Sequence, residues 1–278
     1  MEIGVDSWVV DQGAGICELA RAVEDAGLES LFVVEHTHVP ASRRDLLDDP
    51  MHSLDSHLLD PFTILGAAAA VTSRLKLGTG ACVVVQHDPI RLAKQVATID
   101  YLSGGRFLFG VGAGWLIEEM TNHGVEPTRR WALLREQVLA MTTIWTQDEA
   151  EFHGEFVDFD PIWLWPKPVH RPHPPVLICG NGPSALQRVV DCGDGWMPVV
   201  SAEYPLRVRL SELDRLCAEA GRDRVPVTAA IFGIDEQLIE QCAQLGVSRC
   251  VIAPPVGDDL AGLQPFVDRC SRIATSYR

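Results

Sequence analysis

Short apolar runs and longer amphipathic stretches alternate along the chain. Ile3 to Trp8 reads as a strand, and the next stretch sets Ile16, Leu19, Ala20, Val23 and Ala26 on one face at helical spacing. Gly27 follows where a left-handed residue closes a helix. Leu31 to Val34 is a continuous apolar run, as expected of a strand buried on both faces of a parallel sheet. Asp60-Pro61 supplies an N-cap and a first-turn proline for a helix over 62–72, and Asp88-Pro89 does the same for one over 90–102. A third strand, Leu75 to Val85, lies between these helices, and Arg106 to Val111 forms a fourth. A short helix near Leu116 to Met120 and a long one from Arg129 to Trp145 come next.

Residues 146–174 break the rhythm, with prolines interleaved among tryptophans and phenylalanines and no clear period. An aperiodic stretch of this length predicts an insertion, expected to act as a flap over a site. The alternation then resumes. Strands over 176–179, 195–199, 226–232 and 249–252 are followed by helices over 184–192, 205–220, 236–245 and 259–274. Eight strands, each followed by a helix, predict a closed (β/α)8 TIM barrel, with insertions after the second strand and before the fifth. No composition break marks a linker, so residues 1–278 are expected to form a single domain. The same order of elements also permits an open doubly wound sheet.

Composition narrows the partners. A net charge of −15 opposes binding to a phosphate backbone, which basic surfaces favour through counterion release. The N-terminal MEIGVDSWVV has no basic leader, and no apolar run reaches the roughly 18 residues of a membrane helix. A cytoplasmic protein acting on a small molecule, with neither nucleic acid nor membrane as partner, is expected. The 8 cysteines contain no C-x-x-C pair and are expected to be reduced. The small apolar run Ala67 to Val71 suggests a homodimer formed through the helices of the second and third βα units.

Barrel enzymes build their sites from segments just after the strands. Those segments offer Asp6 and Trp8, then Glu35-His36-Thr37-His38, then Gly80-Ala81-Cys82 with Gln86-His87. Further on come Gly112-Ala113-Gly114-Trp115, Gly180-Asn181-Gly182 and Ala253-Pro254-Pro255. His36 and His38 form an H-x-H pair of the kind that binds metals, but the later strand ends offer no imidazole or carboxylate, so no metal is expected. Histidines that cap the loop through hydrogen bonds are the plainer alternative. Gly110 to Gly114 is G-x-G-x-G rather than a dinucleotide fingerprint, and no acidic residue closes a following strand some 20 residues on. Glycines there allow a flat ring to approach the backbone. Gly180-Asn181-Gly182 precedes a helix N-terminus, where free N–H groups and the helix dipole favour an anion.

At these residues the sequence resembles the luciferase-like monooxygenase superfamily, and within it the F420-dependent oxidoreductases of actinobacterial type. The stretches SLFVVEHTHVPASRR, DPIRLAKQVATIDYLSGGRFLFGVGAGW, HPPVLICGNGPSAL and GDGWMP carry the likeness, which spans nearly the whole chain. The resemblance implies a deazaflavin (F420) or, alternatively, FMN lying across the barrel mouth. Its ring would rest against Gly80, Ala81 and Cys82, with a non-prolyl cis bond at Gly80–Ala81. Gly112, Ala113 and Gly114 would meet the ring or its ribityl chain, and Gly180, Asn181 and Gly182 the phosphate. His36 would stand beside the reactive ring edge, preceded by Glu35, with His38 as a further acid or base. Trp8 and Trp115 are expected to border the substrate. Sugar-phosphate dehydrogenases of the superfamily have a glutamate where Trp115 stands, which argues against such substrates. Hydride transfer to a small organic molecule is the implied activity; an FMN monooxygenase or a non-catalytic cofactor carrier is the alternative.

Overall fold

The structure, a computed structural model, describes residues 1–49, 52–254 and 260–277. Pro255, at the end of the last candidate segment, and Asp259, at the start of the last expected helix, lie outside the described residues. Its strands are β1 (Glu2–Ser7), β2 (Ser30–Val33), β3 (Lys76–Thr79), β4 (Cys82–Val83) and β5 (Phe107–Gly112). They continue as β6 (Ala150–His153), β7 (Asp158–Ile162), β8 (Val176–Cys179), β9 (Gly195–Met197), β10 (Thr228–Phe232) and β11 (Arg249–Ala253). The helices are α1 (Ile16–Asp25), α2 (Pro61–Val71), α3 (Pro89–Ser103), α4 (Ile117–Asn122) and α5 (Arg130–Thr146). After them come α6 (Ala185–Cys192), α7 (Leu206–Glu219), α8 (Glu236–Gln244) and α9 (Leu260–Thr275).

Parallel pairing runs in the order β10-β11-β1-β2-β3-β5-β8-β9. Parallel bridges Trp196↔Val227 and Val199↔Ala230 bring β9 back to β10, so eight strands close into a barrel ringed by helices. The two Asp-Pro signals act as read: Asp60 accepts from the Thr63 N–H at the start of α2, and Asp88 from the Arg91 N–H at the start of α3. Inside the barrel Phe32, Leu108, Leu177, Met197, Ala230 and Val251 pack together, while a larger apolar layer fills the space between strands and helices. Such interior layers make the barrel a packed core with its open end at the top.

Two sequence expectations need correction. The third strand does not run unbroken from Leu75 to Val85: it stops at Thr79 and resumes as β4, which pairs with β5. The interruption is the Gly80–Ala81 bond, which is cis. Gly110 shows how close the backbones come there, since a Cβ on it would lie 1.9 Å from the Thr79 carbonyl oxygen. The segment 146–174 is not aperiodic, because β6 and β7 pair as an antiparallel hairpin within it. It is also no flap. The Lys167 ammonium donates to the Ile144 carbonyl at 2.6 Å, and the His170 N–H donates to Asp100 Oδ2 at 2.9 Å. Those bonds strap the segment along α5 and α3 on the outside of the barrel. The Ala67 to Val71 run is divided: Ala68 and Ala69 are buried within the chain, while Ala70 is exposed. Among the described residues no helix is long and apolar enough to cross a membrane.

Candidate active site

A cavity of about 650 Å3 opens at the C-terminal ends of the strands. Its lining includes Asp6, Trp8, Glu35, His36, Gly80, Ala81, Gly112, Ala113, Gly114, Trp115, Gly180, Asn181 and Gly182. Most of the sequence-predicted site thus converges on one space. Cys82 and His38 do not line it. Cys82 is fully buried behind the bulge, and burial, reinforced by the Glu35 charge, pushes its thiol pKa well up. His38 turns outward, its Nδ1 2.9 Å from the Thr37 hydroxyl and its Nε2 accepting from Asn122 Nδ2 at 2.9 Å. No residue of 146–174 reaches the cavity; the insertion after β2 does, through His52 and Asp55.

His36 is held tightly. Its Nδ1–H donates to Glu119 Oε2 at 2.7 Å, and Glu119 Oε1 accepts from the Thr37 N–H at 2.7 Å and its hydroxyl at 3.0 Å. With an acceptor on Nδ1, the ring turns Nε2 to the cavity side, where Asp55 Oδ2 stands at 3.8 Å. Burial pushes the imidazole pKa down, but the Glu119 hydrogen bond and charge, helped by Asp55 and Glu35, outweigh it and raise the pKa. Burial works against ionised Glu119 as well, yet His36 and Thr37 bring its pKa below the usual carboxylate range. Trp115 covers the pair, edge to face with His36 at 5.6 Å and 4.7 Å from the His52 ring.

Glu35 is engaged elsewhere. Its Oε2 accepts from the Val83 N–H at 2.6 Å and its Oε1 from His87 Nε2 at 2.8 Å, so the carboxylate braces β4 beyond the bulge. Glu35, Cys82 and His87 bring one ligand-type atom each within 4.8 Å. Those two hydrogen bonds account for the cluster without an ion. On the cavity floor Asp6 is 5% exposed, its Oδ1 has no partner among the described residues, and burial raises its pKa to about 7. Trp8 and Phe232 pair across the rim at 5.8 Å.

At the opposite end the loop 180–182 rises from β8 with Gly180 at φ +115, a conformation open to glycine. Asn181 is occupied in holding this loop: its Nδ2 donates to the Val199 carbonyl at 2.6 Å and its Oδ1 accepts the Val199 N–H at 3.0 Å. Three arginines gather around it. Arg209 donates to the Gly182 carbonyl at 3.3 Å, and the Arg188 guanidinium stacks 3.7 Å from the Trp131 ring, with Arg130 at 5.5 Å from the same ring. The Nε of all three is buried without a partner among the described residues. Arg209 is paired with Glu212 at 2.6 Å, which leaves Arg130, on the cavity wall, and Arg188, beside Gly182, as the cations next to a glycine loop whose helix start favours an anion. At the other end Gly112 packs close to Ala81, whose methyl a Cβ on Gly112 would meet at 3.3 Å.

Comparison with known proteins identifies the family. The family model for luciferase-like monooxygenase matches residues 4–234. The chain belongs to that family. An uncharacterized protein of Mycobacterium tuberculosis is 40% identical over 282 residues, covering 97% of each chain. The FMNH(2)-dependent dimethylsulfone monooxygenase of Pseudomonas putida is 30% identical over 179 residues, 63% of this chain and 49% of that protein. Among solved structures, an F420-dependent secondary alcohol dehydrogenase in complex with an F420-acetone adduct superposes with a TM-score of 0.80 at 19% identity, over 100% of this chain and 99% of that one. Relatives within the family thus include both F420- and FMN-dependent oxidoreductases.

Sequence reasoning missed Glu119, Asp55, His52 and the three arginines. Glu119 had a signal, since it is an acidic residue in the first turn of α4, just beyond the candidate segment that ends at Trp115. The others converge only when distant loops and helices pack.

Proposed function

We propose that this protein is an F420-dependent oxidoreductase that moves a hydride between the deazaflavin and a small organic substrate, the whole chain acting as one barrel unit. The observation that carries this reading is a single cavity joining the His36–Glu119 pair at one end to the arginine-flanked loop 180–182 at the other. Gly80, Ala81, Gly112, Ala113 and Gly114 would hold the ring, and Gly182 with Arg130 and Arg188 the phosphate. Bound there, the cofactor would supply or accept the hydride, while the protein orients, excludes water and moves the proton.

His36 is the proton carrier of this reading. Its raised pKa favours the imidazolium, whose Nε2–H can donate to a substrate atom as negative charge develops there. Glu119 fixes the tautomer of the neutral ring and stabilises the imidazolium. Trp8, Trp115 and Phe232 give the substrate end an aromatic rim, and the arginines are at the other end, which suits an uncharged substrate. His36→Ala should lower kcat by about 10²-fold or more while cofactor affinity is retained. An unchanged kcat/KM profile against pH would end the assignment.

FMN is the second reading, favoured by the Pseudomonas putida relative. Reconstitution decides between them: bound F420 absorbs near about 420 nm and bound FMN near about 450 nm.

A further inference from the structure

A proton carrier sealed inside a cavity needs a supply. The His36 side chain is only 9% exposed, and its Glu119 partner is 2% exposed and accepts from the exposed Thr37. Glu35, whose charge also reaches His36, has both oxygens engaged by the Val83 N–H and His87. Neither carboxylate stands against His36 Nε2, the nitrogen on the cavity side.

Asp55 does. This residue opens the short 3-10 turn Asp55–His57 in the insertion after β2. Its Oδ2 lies 3.8 Å from His36 Nε2 and accepts from His52 Nδ1 at 2.9 Å. An aspartate that merely ties a loop accepts backbone N–H groups. Among the described residues the Asp55 side chain has no such bond, and its Oδ1 is buried without a partner. The His52 side chain, which also lines the cavity, is 27% exposed against 9% for His36, so the chain His36, Asp55, His52 leads from a buried ring to an accessible one. Trp115 lies against both imidazoles and roofs the path.

We propose that Asp55 and His52 form a proton relay between His36 Nε2 and solvent, which makes the insertion after β2 the proton port of the cavity. The inference rests on the reading of His36 as proton carrier. In the reductive direction the His36 Nε2 proton passes to the substrate atom that receives the displaced electron pair as hydride arrives at its neighbour. The ring is left neutral, with Nδ1–H retained against Glu119. The Asp55 carboxylate then takes the Nδ1 proton of His52 and passes it to His36 Nε2, while His52 takes one from water or buffer at its Nε2. In the oxidative direction each transfer reverses. The 3.8 Å gap exceeds hydrogen-bond length, so one water or a small inward shift of the loop completes the path.

Asp55→Asn and His52→Gln preserve size while blocking transfer, and the second alters only a partly exposed side chain. In cofactor-loaded enzyme both should lower kcat at least about tenfold in dilute buffer with KM unchanged, and concentrated imidazole buffer should restore the rate. In the unloaded protein, NMR should show slower solvent exchange of the His36 ring proton in both variants. Wild-type kcat and exchange in the variants would overturn the relay and leave the His36 assignment intact. A loss of rate that buffer does not restore, with normal exchange, would assign Asp55 to holding the loop. Full activity in His36→Ala would remove the carrier role on its own, and the exchange measurement would still decide whether the path conducts.

Discussion

Asp6 makes a prediction whose size follows from its surroundings. Its carboxyl is buried with Oδ1 unpartnered, and burial raises its pKa from 3.8 to about 7. Between those values the unfolded chain is ionised at this position and the folded chain is not. The folded state then binds more protons, so stability falls as pH rises. The contribution is complete below the unfolded value and is lost progressively until the folded value is passed. At about 1.36 kcal/mol per unit, the wild type should lose about 3 kcal/mol between pH 5 and pH 8 relative to a variant that cannot ionise. Asp6→Asn is that variant, with nearly the same shape. At about 2 °C or more per kcal/mol for a chain of this length, its melting temperature should gain about 6 °C on the wild type over that range. Thermal unfolding of both proteins at the two pH values measures the difference, and titration elsewhere cancels. A gap that stays constant with pH would refute a buried, unpartnered Asp6.

Glu119→Gln removes the charge that raises the His36 pKa. Its melting-temperature deficit should be larger near pH 6 than near pH 9, because a raised histidine pKa contributes below the unfolded value and is lost as pH rises through the folded one; equal deficits would count against the pair. Arg188→Ala should raise the cofactor Kd by about tenfold or more, the cost of one charge-assisted hydrogen bond, as read by fluorescence titration. Gly182→Asp, which places a negative charge at the proposed phosphate site, should also weaken binding, by about 0.3–2 kcal/mol before any steric term. Light scattering at micromolar concentration should report a homodimer, and a monomer there would remove that proposal.

Local rules carried the fold a long way. Two Asp-Pro caps, a closing Gly27 and eight alternations were enough to place the elements within a residue or two, because each depends on neighbours in the chain. Periodicity failed at Gly80–Ala81, where a bulge interrupts an apolar run without changing its hydrophobicity. It also led to the wrong covering loop. The aromatic segment 146–174 looked like a lid but packs outside on α3 and α5, while the polar insertion after β2 delivers His52 and Asp55. Of the candidate site, His36 and the glycines were legible from their places after strands. Glu35 and His38 were read by adjacency to His36, yet they lie in the loop beyond β2, and one braces β4 while the other turns outward. The arginine cluster could not be read from a chain whose net charge is −15, since total charge says nothing of where the cations gather.

The barrel has a seam. β9 meets β10 through two isolated bridges, with Trp196 N–H donating to Pro226, Ala230 N–H to Pro198 and Val200 N–H to Ala230, at 3.1, 2.9 and 2.8 Å. Elsewhere adjacent strands share continuous ladders of two to five residue pairs, five of them between β10 and β11, where the seam has only isolated bridges. A closed cylinder breathes first where its lattice is thinnest. Here that line runs beside Val199, which Asn181 clasps from the 180–182 loop with two hydrogen bonds. The amides along the seam therefore form a built-in gauge: a molecule seated on that loop draws the clasp tight, and deuterium uptake at 196–200 and 227–230 should slow before any other part of the sheet responds.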